Sequence, residues 1–141
     1  MELSKRTKAG MWLFTVLAVT FFIIDTRGAY FHWREAGWPD HAMFHAITGL
    51  FYTQITCIMI VVVTWIPLKQ RQPWSWWAIA LMGIGIHGGH VVGNALTHQG
   101  LSGAEAAQGP GMIFFAGTVT ALILYIIGLI LTRAHFEEAK S

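Results

Sequence analysis

Four long apolar runs dominate this chain, and a water-soluble fold has nowhere to put them. A helix that crosses a bilayer needs about 20 mostly apolar residues. Residues 9–30, 41–66, 74–96 and 110–132 each meet that requirement. Charged residues make up 11% of the sequence, against about 25% in a soluble domain. The expected fold is all-α: one domain, an integral membrane up-down-up-down four-helix bundle. Pro67 ends the second run, Pro73 precedes the third, and Pro110 falls in the first turn of the fourth, where a missing N–H costs little. The short 68–73 linker makes the second and third spans antiparallel neighbours.

Orientation follows from Lys and Arg. One side collects Lys5, Arg6, Lys8, Lys69, Arg71, Arg133 and Lys140; the other has Arg27 and Arg34. The excess of basic residues places both termini in the cytoplasm, and a bacterial inner membrane is the expected location. The start "SKRTK" followed by an apolar run resembles a signal peptide, but no small-x-small cleavage site precedes Asp25, so the first span is read as retained. The seven tryptophans lie near the ends of the apolar runs, as an interfacial belt requires. A net charge of +2, with no basic stripe interleaved with aromatics, argues against a nucleic-acid partner. The single cysteine, Cys57, excludes an intrachain disulfide and a thiolate metal site, and reads as a small buried apolar residue.

Polar residues inside the runs gather at one depth. Asp25 is near the outer end of the first span, His41 and His45 open the second, and His87, His90 and Asn94 fall in the last part of the third, with His98 just beyond. At 1.5 Å per residue, His45 lies ~6 Å inside its span and His90 ~9 Å from the end of its own. His41, His45, Thr48 and Tyr52 form one helical stripe; His87, His90, Asn94 and His98 form another. Lipid is a costly environment for imidazole and amide groups, so the two stripes are expected to face each other. Gly83, Gly85, Gly88, Gly89 and Gly93 surround the second stripe. They fit close packing by a neighbouring helix or by a flat cofactor.

Any one of these histidines, taken singly, does no more than satisfy a hydrogen bond. His32 and His98 read as interfacial polar residues. His41, His45, His87 and His90 together read as a metal or cofactor site. Imidazole is the commonest protein ligand for Fe, Cu and Zn, haem iron included. Asp25 or Asp40 is placed to act as a carboxylate ligand or to orient a histidine. The histidines are too few for the boxes of membrane di-iron hydroxylases. No G-x-S-x-G motif is present, and the glycine-rich "GIGIHGGHVVG" lacks the Lys-Ser/Thr of a phosphate loop.

Three short elements then point further: "AMFH" at 42–45, "NALTHQGL" at 94–101 and "GPGMIFF" at 109–115. In order, spacing and chain length they resemble the styrene oxide isomerases, four-span membrane proteins. "WPDHAMFH" also resembles a motif of small four-span membrane proteins without a known activity. The isomerase resemblance implies a trimer that binds haem b through a histidine and uses ferric iron as a Lewis acid to rearrange an epoxide to an aldehyde. By position the axial ligand is His45. The chain departs from the family pattern at His90, in place of a tyrosine that holds the epoxide, at Phe51 in place of an asparagine, and at Met43 in place of an arginine. His90 is then a second axial ligand, a general acid, or a partner of His41 and His87 around a non-haem ion.

The leading expectation is a small membrane enzyme acting on a hydrophobic molecule that enters from the bilayer. Its cofactor is haem b or a mononuclear Fe, Cu or Zn ion. His45 is the cofactor ligand; His41, His45, His87, His90 and Asp25 are the metal-site candidates; His90 and Asn94 are the catalytic candidates. The alternatives are a bis-histidine electron-transfer protein and a non-catalytic subunit of a larger membrane complex.

Overall fold

The computed structural model describes residues 3–34, 40–100 and 112–137, with the side chains of 31–34, 40–43, 94, 96–100, 112–114 and 137 outside that description. Four helices account for nearly all of it: α1 (Lys5–Arg34), α2 (Asp40–Val63), α3 (Pro73–Gly100) and α4 (Met112–Glu137). No strand occurs among the described residues. Lys5–Tyr30, Phe44–Leu68 and Phe115–Phe136 combine the length and hydropathy to cross a membrane. α3 is as long, but tryptophans at its start and His87, His90 and several glycines further on dilute its apolar character.

The α2–α3 connection is built around two prolines. Thr64–Leu68 widens into a π-helical turn containing Pro67. A proline has no N–H to give, and the wider turn removes the demand for it. The chain then turns on Arg71, a non-glycine residue at φ 61°. The Gln72 N–H donates to the Pro67 carbonyl and the Arg71 N–H to the Leu68 carbonyl, both at 2.9 Å. These paired bonds form a Schellman cap. Pro73 starts α3, where its missing N–H is not needed.

The buried stripe of α1 is Thr7, Met11, Phe14, Ala18 and Phe21, in alternating steps of four and three. α4 repeats the rhythm with Thr118, Ala121, Tyr125, Thr132 and His135. An average of 3.5 residues keeps one seam on a neighbour lying nearly alongside. α1 packs most extensively against α4 and then α2, and α3 leans on α4. α1 and α3 therefore stand across the bundle from one another. Close approach is written in Gly10, where an added Cβ would sit 2.8 Å from the Gly128 carbonyl oxygen. Two indole N–H groups pin the end that carries most of the basic residues: Trp65 donates to Thr15 Oγ1 (2.8 Å) and Trp76 to the Leu129 carbonyl (3.1 Å).

Candidate functional site

Continuing the α1 stripe by one step of four leads from Phe21 to Asp25. On α3 the same rhythm runs from Ile79 through Gly83 to His87 and His90. The periodicity that buries the core thus carries these polar groups inward at one level. His90 Nε2 lies 3.6 Å from Asp25 Oδ2, with the two side chains 27% and 16% exposed. His90 Nδ1 is 2.8 Å from the Ile86 carbonyl one turn back. A carbonyl only accepts, so Nδ1 carries the hydrogen. Nε2 is then the exchangeable position. A lone pair there would face a carboxylate oxygen, so the pair holds one proton between them.

His87 is buried, with 1% exposure, and its Nδ1 has no hydrogen-bond partner. Its ring is walled by Phe21, edge-on at 4.4 Å, and by Tyr125 at 4.9 Å. Phe21 also meets His90 edge-on at 5.0 Å, so one aromatic ring touches both imidazoles. Tyr125 is fully buried; its hydroxyl donates to the Ile79 carbonyl at 2.8 Å and its ring packs on Phe14. Gly83 makes room for that ring, since a Cβ there would fall 1.8 Å from Tyr125 Cζ. On the α1–α2 seam, the Gln54 amide donates to Thr26 Oγ1 at 2.9 Å, next to Asp25 in sequence.

The expectation that the α2 stripe faces the α3 stripe is corrected. The inward residues of the middle of α2 are Cys57, Ile60 and Val63. Stepping back from Cys57 by helical turns reaches Gln54, Leu50 and Ala46, all half-buried, whereas His45 is exposed and Tyr52 is 69% exposed. His45 sits about 100° round the helix from Ala46, beside the exposed Phe44. It therefore does not join His87 and His90 inside the chain. The glycine expectation narrows as well. Gly83 serves close packing, while an added Cβ at Gly85, Gly89 or Gly93 meets nothing within 4 Å. The side chains of His32, Asp40, His41, Met43, Asn94 and His98 lie outside the described residues.

Among the described residues, no three His, Cys, Asp or Glu side chains are placed to hold one metal ion. The described residues fit a haem inside a single bundle no better. His90 Nδ1 is tied to the Ile86 carbonyl, its Nε2 faces Asp25 and Phe21 packs on its ring, and the His87 ring is closed in by Phe21 and Tyr125. A macrocycle on either histidine would need the space that Phe21 fills, and His45 points outward. Sequence reasoning missed Phe21, Tyr125 and Gln54. Phe21 was recoverable from the stripe Thr7, Met11, Phe14, Ala18, Phe21, Asp25, which continues an apolar seam into an acid.

No family model, curated protein or solved structure matches the chain. The likeness to the styrene oxide isomerases rests on the three sequence elements alone.

Proposed function

We propose that this chain is a small four-span membrane enzyme that isomerises a hydrophobic epoxide to a carbonyl compound, with His90 and Asp25 as its acid–base pair. The observation that carries the reading is the His90–Asp25 contact at 3.6 Å, with His90 fixed from behind by Ile86. Ionisable pairs within membrane-spanning helices are expensive and mark functional sites. His90 Nε2–H donates its proton to the epoxide oxygen as one C–O bond breaks. Hydride moves from the neighbouring carbon to the cation so formed, giving a protonated carbonyl. The proton returns to Nε2, and substrate and product have the same atoms and electrons. Asp25 offsets the imidazolium charge while the proton is on His90. The site lies towards the outer side of a bundle whose termini are cytoplasmic.

Self-association, as a trimer in the resemblance, is part of the proposal. Gly85, Gly89 and Gly93 form an exposed small-residue stripe on α3, a packing surface in membranes. The outward Tyr52 carries a hydroxyl that lipid would not favour.

The test is conversion of styrene oxide to the aldehyde by purified protein in nanodiscs, with the absorption spectrum recorded on the same sample. Asp25→Asn and His90→Ala are expected to lower kcat by about 10²–10⁴, the usual share of general acid–base catalysis. Unchanged turnover in both variants overturns the reading. A Soret band lost in His45→Ala also overturns it, in favour of haem held between copies.

A further inference from the structure

Between α1 and α4 lies an apolar groove of about 380 Å³ lined by Leu17, Phe21, Ile24, Gly117, Ala121 and Leu124, with Thr20, Thr118 and Thr120 beside them. The volume is near the lower end of small-molecule sites, roughly 300–1,000 Å³. The threonines do not make the wall polar. Thr118 and Thr120 donate their hydroxyl hydrogens to the Phe115 and Ala116 carbonyls of their own helix, both at 2.8 Å. An occupant therefore needs no hydrogen-bonding group of its own. The floor at Gly117 is open, because an added Cβ would meet nothing within 4 Å. The inner wall is Phe21, the same ring that meets His87 and His90 edge-on.

We infer that this groove takes the apolar body of the substrate, a single-ring or short-chain molecule drawn from the bilayer, and that Phe21 is the partition deciding what size of molecule reaches His90. The inference rests on the acid–base reading of the pair but locates a separate binding surface. One side chain, Phe21, both lines the groove and meets the two imidazoles. A ligand that presses on Phe21 changes the ring's edge contacts with both imidazoles. A molecule too large for the groove is held away from Nε2 by the same ring.

The experiment uses full-length protein in nanodiscs, with styrene as an unreactive probe and naphthalene as a bulkier one. Binding is read by saturation-transfer NMR, and the imidazole signals of His87 and His90 are followed with ¹⁵N-histidine. Styrene is expected to bind the wild type and to shift both imidazole signals. Gly117→Leu fills the groove from its open floor and is expected to weaken styrene binding more than about tenfold, leaving the unliganded imidazole signals in place. Phe21→Ala is expected to admit naphthalene and to enlarge the His90 shift; Phe21→Leu provides a milder opening if the alanine variant folds poorly. Styrene binding unaffected by Gly117→Leu overturns the inference. So does an imidazole signal unmoved by saturating styrene, or a co-purifying phospholipid chain that styrene does not displace. Asp25→Asn separates the two ideas: turnover retained in that variant with styrene binding lost in Gly117→Leu defeats the acid–base reading and leaves the groove standing.

Discussion

Gly83→Ala tests the packing that holds the site. The new methyl carbon would lie 1.8 Å from Tyr125 Cζ, 1.9 Å from Cε1 and 2.4 Å from the hydroxyl oxygen. Carbon atoms settle at about 3.5–4.0 Å, so ring or helix must move by roughly 2 Å. Tyr125 has little freedom to do so. Its ring is fully buried between Phe14 and His87, and its hydroxyl is tied to the Ile79 carbonyl. Losing that hydrogen bond costs about 1 kcal/mol, and overpacking adds about 1–3 kcal/mol. The gain from replacing a helical glycine returns up to about 1 kcal/mol. A net loss of about 1–3 kcal/mol is expected from reversible unfolding in mixed micelles. Gly85→Ala is the control, because its methyl group meets nothing within 4 Å and should be neutral or slightly stabilising. Equal stability of the two variants would refute the account of Gly83 as the seat of the Tyr125 ring.

Further outcomes follow from other contacts. His87→Phe removes a buried, unpartnered Nδ1 and is expected to raise stability by about 1–3 kcal/mol, measured by reversible unfolding. Arg71→Gly relieves a left-handed residue at φ 61° and should stabilise by about 1 kcal/mol. Trp65→Phe loses the bond to Thr15 and the edge contact with Trp12 at 5.1 Å, and should cost about 1 kcal/mol in the same unfolding assay.

The helices were legible in the sequence because runs of apolar residues leave few other folds open. Their ends were less so: α1 begins at Lys5 and continues to Arg34, beyond the apolar run on both sides. Charged residues at the ends of a spanning helix can extend it into the interface without altering hydropathy. The depth of the polar cluster was also legible, since Asp25, His87 and His90 are at one level of the bundle. The partner of the α3 stripe was not. Periodicity identifies which residues share a helix face but not which face turns inward. For α2 the competition lay between His45–Tyr52 and Ala46–Leu50–Cys57, and the core took the smaller, less polar side. Asp25 stands out by its charge, yet its register with Phe14 and Phe21 is the stronger clue to where it points.

The heaviest packing of α1 is against α4, the first helix against the last. During synthesis α1 is complete, with Thr7 and Asp25 on its inward stripe, before α3 and α4 exist. Asp25 waits for His90, and Met11 and Phe14 wait for the helix that carries Tyr125 and Gly128. A chain that stops before Met112 has His90 for Asp25 but leaves Phe14 without Tyr125 and Gly128 to pack against. Completion of this bundle is a C-terminal event, and its failure would show as an uncovered apolar seam on α1 rather than as a bare charge.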